Sequence, residues 1–284
     1  MAVAVFGGIV LDYISRVNTM EQDANLIEDF SQSLGGMGYN TAHACAEMGA
    51  STELVTTVGS DFPKPGDVPN LKLTLQRGKE DSTSKCFLFH GKEGERLYFY
   101  RGAYNDLDPK ACEESIKRAQ IVHFAGIMPT FEDIMEAAMG LKKSICFNPG
   151  YDINHYDPGS DMVRGMMAYS DYIILNKREF GMLKTPAEEL AKGKKALIIT
   201  KGVEGSDIYT DGKMVQVNAY RVKSESPFGA GDTYSGSFLA AVSKGKTPQE
   251  ATKIASAAAS FAVEQRSTAP ELSWKKVLER AKKL

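Results

Sequence analysis

The stretch with the clearest chemical potential is "SPFGAGDTYSGSFL", in which Gly229, Ala230 and Gly231 directly precede Asp232. Small residues at the start of a helix leave backbone N–H groups exposed, and such groups bind anions. A carboxylate at this place could accept a proton from a group that attacks the bound anion. It could also merely cap the helix. The local pattern leaves both interpretations of Asp232 open.

A second acidic side chain, Asp12, interrupts the apolar stretch "GGIVLDYI". An unpaired carboxylate is costly to bury, so Asp12 must face water, a charged partner or the hydroxyl groups of a ligand. The alternative is a charge that keeps an edge strand in solution.

The composition excludes several classes of protein. The formal net charge of −2 gives no general attraction to nucleic acid or to anionic membranes. The four cysteines form no C-x-x-C pair and the four histidines no H-E-x-x-H pattern, which argues against a structural metal site and favours a reducing compartment. The sequence has no membrane-spanning apolar run and no secretory leader pattern, so we expect a cytoplasmic protein.

Two kinds of hydrophobic pattern occur along the chain. From about residue 120 onward, short apolar runs such as "AQIVHFAG", "SICFNPG", "DYIILNK" and "KALIITKG" are separated by helical stretches. This alternation predicts a parallel sheet, which binds ligands beyond the carboxyl ends of its strands. Residues of about 11–36 and 71–101 mix polar and apolar positions, which predicts antiparallel strands with one wet face. We expect one domain over residues 1–284, with these two segments inserted as a small lid sheet.

Two candidate phosphate-binding motifs lack a glycine that their consensus requires. Gly245-Lys246-Thr247 resembles the end of a P-loop, but the earlier required glycine is Ala240. The stretch that begins at Gly36 starts like a dinucleotide fingerprint, yet its third glycine is Thr41. A nicotinamide-dependent dehydrogenase is therefore a weak rival.

Several sequence motifs do match those of a known protein family. "SPFGAGDTYSGSFL" resembles the C-terminal signature of the ribokinase-like (PfkB) carbohydrate and nucleoside kinases, and "LGGMGYNTAHACAEMGA" resembles their N-terminal signature. Gly59-x-Asp61, "NKRE" and "TKGVEG" follow in family order. "FNPGYDI" and "ELSWKKVLERAKK" are similar in layout to the compact archaeal nucleoside kinases. The resemblance implies a three-layer α/β/α domain with a small β-sheet lid.

The resemblance also implies roles for the first stretch. Asp232 would be the catalytic base, and the backbone N–H groups of Gly229, Ala230 and Gly231 would form an anion hole. Phosphoryl transfer depends on positioning and charge stabilisation, which agrees with this chemistry.

For ATP and Mg²⁺ the resemblance implies Asn176 and Glu179 of "NKRE", with Glu179 acting on the metal through water. An N-cap followed by a first-turn acid is the structural alternative. Thr200, Gly202 and Gly205 of "TKGVEG" would bind the nucleotide, or would form only a glycine-rich turn. Asn148 would face the phosphates, although an Asn-Pro-Gly turn explains it nearly as well.

For the acceptor alcohol the resemblance implies Asp12, Gly36, Asn40 and the lid residue Arg101. The alternatives are a helix N-cap for Asn40 and a solvated arginine for Arg101. Ser226 and Pro227 stand where the family commonly has Asp and Thr beside a monovalent-cation loop, which leaves potassium activation in doubt.

The resulting prediction is an ATP- and Mg²⁺-dependent kinase of a primary hydroxyl group. "FPKPGDVPNL" carries three prolines that prevent a regular helix beside the lid, which predicts an open pocket and a nucleoside phosphorylated on its 5′-hydroxyl. A kinase of ribose, fructose or 2-keto-3-deoxygluconate is the alternative, and a ligand-binding regulator without turnover is a distant one. The family also implies a homodimer joined through the lid strands.

Overall fold

The computed structural model describes residues 1–21, 24–63, 65–223, 228–265 and 268–284. The strands are β1 Val3–Gly7, β2 Val10–Val17, β3 Ile27–Gly35, β4 Thr52–Val58, β5 Leu71–Arg77, β6 Lys85–Gly91, β7 Gly94–Tyr100, β8 Ile121–Ala125, β9 Ser144–Asn148, β10 Tyr172–Asn176, β11 Ala196–Thr200, β12 Ser206–Thr210 and β13 Lys213–Val217. The helices are α1 Met37–Glu47, α2 Pro109–Arg118, α3 Phe131–Gly140, α4 Asp161–Tyr169, α5 Lys177–Leu183, α6 Ala187–Leu190, α7 Ala230–Ser243, α8 Pro248–Glu264 and α9 Trp274–Ala281.

The large sheet has the strand order β13-β12-β11-β10-β9-β8-β1-β4-β5. Strands β5, β4, β1, β8, β9, β10 and β11 pair in parallel, and β12 and β13 continue as an antiparallel hairpin. Strand β1 is wholly buried, as expected for a parallel strand that is covered on both faces. The carboxyl ends of the parallel strands therefore meet at one edge of the sheet.

Helices cover both faces of this sheet. One apolar core packs α1, α7, α8 and α9 against the sheet, and a second packs α2, α3 and α4 against the opposite face. The predicted three-layer α/β/α architecture is confirmed. None of the helices in the described part of the chain is long and apolar enough to cross a membrane.

A separate sheet of four strands, in the order β3-β2-β6-β7, forms the lid. Its two hairpins are antiparallel, as predicted, but β2 and β6 pair in parallel. The reason is that β2 follows β1 and β6 follows β5, so both strands leave the same edge of the large sheet. Leu71–Arg77, expected within the lid, instead forms edge strand β5 of the large sheet because Leu71 and Leu73 pack against the main core.

The Gly59-x-Asp61 motif anchors the lid. The Asp61 carboxylate accepts hydrogen bonds from Thr83 N at 2.6 Å and from Lys85 Nζ at 2.6 Å, at the start of β6. Partial burial alone would raise the pKa of Asp61, but these hydrogen bonds hold it well below its usual value. A side chain at Gly59 would meet the backbone of residues 81–83 within 2.5 Å. Residues 61–63 and 65–70 form no helix, in agreement with their prolines.

Candidate active site

A cavity of about 360 Å³ lies where the carboxyl ends of β9, β10 and β11 face the start of α7. Seven of the predicted site residues line it, namely Asn148, Asn176, Glu179, Thr200, Gly229, Gly231 and Asp232. The other lining residues are Met37, Gly150, Tyr151, Ile153, Asn154, Ile174, Leu175, Arg178, Met182 and Phe228. Residues more than 80 positions apart in the sequence thus share one concave site.

The start of α7 is open toward this cavity. Gly229 precedes the helix with φ of 74°, and a Cβ there would lie 2.4 Å from Thr268 O, so packing alone explains this glycine. A Cβ at Gly231 would have no neighbour within 4 Å, and Gly231 lines the cavity. Ala230 begins the helix but does not line the cavity, so its part in an anion hole stays a prediction. The first N–H groups of a helix have no partner within the helix, so this turn can receive an anion.

Asp232 is not a helix cap. It is the third residue of α7, and the N-cap position, Gly229, has no side-chain hydrogen bond. Its Oδ2 atom instead accepts a hydrogen bond from Asn40 Nδ2 at 2.9 Å. Burial raises the pKa of Asp232 to about 6, and the Asn40 hydrogen bond opposes this rise. A carboxyl group with this pKa is ionised at neutral pH and can still accept a proton.

Asn40 lies inside α1, whose N-cap is Gly36, so the N-cap interpretation of Asn40 is wrong. The side chain is 5% exposed, and its Oδ1 atom has no hydrogen-bond partner among the described residues. Gly36 has φ of 90°, and a Cβ there would lie 2.8 Å from the O atom of Gly8, the residue after β1. The tight start of α1 therefore brings Asn40 to Asp232.

Asp12 projects from an interior strand of the lid, since β2 lies between β3 and β6, so the edge-strand interpretation is wrong. Burial raises the pKa of Asp12 to about 7, and the charge of Asp232 adds to the rise. The two carboxyl groups therefore lie near each other across the junction of lid and main domain. Gly35 makes room for Asp12, because a Cβ there would lie 1.9 Å from Asp12 Oδ2.

Asn176 and Glu179 form a capping box at the start of α5, as the structural alternative predicted. Asn176 Oδ1 accepts from Glu179 N at 2.8 Å, and Asn176 N donates to Glu179 Oε2 at 2.9 Å. Asn176 Nδ2 donates to Glu179 Oε1 at 2.6 Å. Burial raises the pKa of Glu179 to about 7, with a further contribution from the charge of Asp232. Asn176 and Glu179 therefore cap α5 and also line the cavity.

The remaining predicted nucleotide residues differ in position. Thr200 lines the cavity opposite Asn176 in the strand register. Gly202 and Gly205 do not line it, and a Cβ at Gly205 would lie 2.1 Å from Val217 O, so this glycine serves the turn. Their roles in nucleotide binding stay predictions.

Asn148 lines the cavity with both ends of its amide already engaged. Its Oδ1 atom accepts from Gly150 N at 2.9 Å, which is the predicted Asn-Pro-Gly turn. Its Nδ2 atom donates to Ser235 Oγ at 3.1 Å and so ties β9 to α7.

Arg101 is half-buried at the end of the lid and does not line the cavity. It lies near Tyr156: burial raises the pKa of Tyr156, and the Arg101 guanidinium opposes the rise. Tyr156 is also near Asp152, which accepts hydrogen bonds from Tyr104 Oη at 2.7 Å and Ile127 N at 3.0 Å. Arg101 thus belongs to a polar cluster beside the lid.

Gly35 and Arg178 are among the residues that sequence reasoning missed. Gly35 precedes the predicted Gly36, and only the lid pairing reveals that it accommodates Asp12. Arg178 stands inside "NKRE", where the motif drew attention to the first and last residues. Ser226, Pro227 and part of the loop "EQRSTAPELSW" lie outside the described residues.

The site suits a metal that is held mainly by substrate phosphates. Among the described residues, no group of three or more His, Cys, Asp or Glu side chains is arranged to hold a metal ion. Mg²⁺ commonly uses one or two carboxylates together with water and substrate phosphates. Glu179, which lines the cavity, offers one such carboxylate.

Comparisons with known proteins agree with this geometry. The family model of the pfkB family carbohydrate kinases matches residues 2–275. The nucleoside kinase of Methanocaldococcus jannaschii is 31% identical over 98% of this chain and 95% of its own length. The ribokinase of Bacillus subtilis is 26% identical over 81% of this chain and 80% of its own length.

Among solved structures, the crystal structure of the M. jannaschii nucleoside kinase, an archaeal member of the ribokinase family, superposes with a TM-score of 0.84 at 28% identity. The match covers 100% of this chain and 99% of that one. The family implies ATP and a divalent metal. The chain therefore belongs to the pfkB family of carbohydrate kinases and is an ATP-dependent kinase.

Proposed function

We propose that this protein transfers the γ-phosphoryl group of ATP to the 5′-hydroxyl of a nucleoside, with Asp232 as general base. The observation that carries the proposal is the position of Asp232. It faces the cavity from the open start of α7, and one of its carboxylate oxygens is hydrogen-bonded to Asn40. The other oxygen is available to an acceptor hydroxyl.

The base works because its pKa lies below but near neutral pH. Asp232 is ionised at pH 7 and accepts the hydroxyl proton as the oxygen attacks phosphorus. The N–H groups at the start of α7 stabilise negative charge on the transferred phosphoryl group, because they are oriented before the reaction begins.

Mg²⁺, when bound, would neutralise charge on the donor phosphates. Glu179 and Asn176 are the residues that would hold it, with Glu179 acting through water. A cation in the cavity would favour the charged form of Glu179, which burial disfavours.

The acceptor binds between lid and main domain. Asp12, with a pKa of about 7, can exchange hydrogen bonds with sugar hydroxyls, and the unpartnered Asn40 Oδ1 can accept one. Both groups are near Asp232, which places the acceptor against the base.

A nucleoside is favoured over a free sugar by two observations. Residues 61–63 and 65–70, beside the lid, form no helix, and we expect this to leave space at the acceptor side. The M. jannaschii relative, 31% identical over nearly the full length, is a nucleoside kinase.

The test is a comparison of kcat/KM for inosine, guanosine, cytidine, adenosine, ribose, fructose and 2-keto-3-deoxygluconate, by ADP release and identification of the product. We expect a nucleoside to be the best acceptor and a nucleoside 5′-monophosphate to be the product. A free sugar that exceeds every nucleoside would contradict the nucleoside assignment. ATP turnover with none of them would contradict the whole class of acceptors.

The lid also supports a homodimer. Its strands and the turn before β3 expose large apolar side chains, namely Leu26, Ile27, Phe30, Leu97, Tyr98, Phe99 and Tyr100. A patch of this kind commonly marks a protein interface. Sedimentation of the purified protein should give a dimer, and Phe30→Ser with Tyr98→Ser should shift it toward monomer. A monomeric wild-type protein would contradict this part of the proposal.

A further inference from the structure

Arg178 is the only cationic side chain among the described residues that line the cavity. The acidic residues Glu179 and Asp232 line the same cavity. A nucleoside triphosphate brings further negative charge to this site. Positive charge is needed beside these acids, and Arg178 supplies it from the protein.

The guanidinium of Arg178 is held in place by a neutral partner. It donates a hydrogen bond to Asn154 Oδ1. Asn154 is itself fixed, because its Nδ2 atom donates to Tyr151 O at 2.6 Å. A guanidinium carries five N–H donors, so one bond to an amide oxygen leaves donors free for phosphate oxygens.

No carboxylate among the described residues lies within ion-pair distance of Arg178. Its neighbour Lys177 behaves differently, since it faces Glu204 at 3.6 Å and does not line the cavity. Two adjacent cations on one helix therefore have different surroundings. Lys177 is ion-paired outside the cavity, and Arg178 lies at the cavity with no acidic partner among the described residues.

We propose that Arg178 binds the polyphosphate chain of the donor nucleotide and that Asn154 positions its guanidinium for this contact. This inference rests on the proposed kinase function and names a donor-binding residue for the same cavity. Arg178 makes planar, forked contacts to phosphate oxygens. Asn154 acts through Arg178 and touches no phosphate itself.

Four variants test the assignment: Arg178→Ala, Arg178→Lys, Asn154→Ala and the control Lys177→Ala. The control removes the same charge from the neighbouring position outside the cavity. The measurements are the affinity for the non-hydrolysable analogue AMP-PNP by titration calorimetry, and KM for ATP and for the acceptor.

Arg178→Ala should weaken AMP-PNP binding by about 5- to 30-fold, since a charged hydrogen bond is lost at an exposed position. Arg178→Lys keeps the charge without the fork and should fall between Arg178→Ala and wild type. Asn154→Ala should raise KM for ATP by about 2- to 5-fold because the guanidinium is no longer oriented. Lys177→Ala should bind AMP-PNP as wild type does, and KM for the acceptor should stay unchanged in all four variants.

Wild-type affinity for AMP-PNP in Arg178→Ala would overturn the assignment while the kinase function stands. Equal losses in Arg178→Ala and Lys177→Ala would also overturn it, since they would indicate general charge attraction. Failure of the wild-type protein to bind AMP-PNP would remove the proposed function and this inference together. All four variants should melt close to wild type, because Lys177 and Arg178 are exposed and Asn154 is only half-buried.

Discussion

The hydrogen bond between Asn40 and Asp232 predicts how activity depends on pH. In Asn40→Ala the Asp232 carboxylate loses a donor that lies 2.9 Å away, while burial still favours its neutral form. A hydrogen bond to a charged group contributes about 1.5–3 kcal/mol, and one pH unit corresponds to about 1.4 kcal/mol. Water can replace part of the lost bond at this half-buried site. The pKa of the base should therefore rise by about one pH unit.

The sign follows from the role of the base. Only the ionised carboxylate accepts a proton, so activity rises with pH through the pKa of Asp232, which lies at about 6 in the wild type. In Asn40→Ala the acidic limb should lie about one pH unit higher. The assay is kcat between about pH 5 and 9 with ATP and acceptor both saturating, so that Asp12 is already engaged by the acceptor.

The control for this experiment is Asn148→Ala. Asn148 is another buried cavity amide, but its partners are Ser235 and Gly150. This variant should change the rate without moving the acidic limb. An acidic limb at the wild-type pH in Asn40→Ala would refute the argument that Asn40 sets the ionisation of Asp232.

Two further predictions concern the acceptor. Asp12→Ala should reduce kcat/KM for the acceptor by a factor that corresponds to about 1.5–3 kcal/mol, mainly through a higher KM, while AMP-PNP affinity stays at the wild-type value. An unchanged acceptor KM would remove Asp12 from the site. Gly35→Ala adds a Cβ that would lie 1.9 Å from Asp12 Oδ2, so Asp12 must move and acceptor KM should rise while KM for ATP does not. Gly165→Ala, a helical position with open space around it, is the matched control, and equal kinetics for the two glycine variants would count against the packing argument.

The sequence predicted the large sheet well, and it predicted several of the residues that meet in the cavity. Runs such as "SICFN" and "DYIILN" are continuous and apolar, and the residue that ends each run lies at the carboxyl edge of a parallel sheet. That rule alone brings Asn148 and Asn176 to one cavity. It could not tell whether their amides contact ligand or backbone, because both uses need the same residue at the same place.

The lid was harder to predict because its strands pair across long loops. Leu71–Arg77 has the mixed pattern of a half-exposed strand, and an edge strand of the large sheet produces the same pattern as a lid strand. The contact of Asn40 with Asp232 joins residues 192 positions apart, so local periodicity in the sequence cannot predict it. The packing of Gly35 against Asp12 depends likewise on strand pairing.

The central claim, that Asp232 is the base of an ATP-dependent phosphoryl transfer, is tested most directly by kcat of purified Asp232→Asn. This substitution keeps the shape of the side chain and removes its ability to accept the proton. With the preferred acceptor at saturation, kcat should fall by about 10²- to 10⁴-fold, while AMP-PNP binds as it does to the wild type. A kcat near the wild-type value would contradict the account and leave Asp232 with only a structural role at the start of α7.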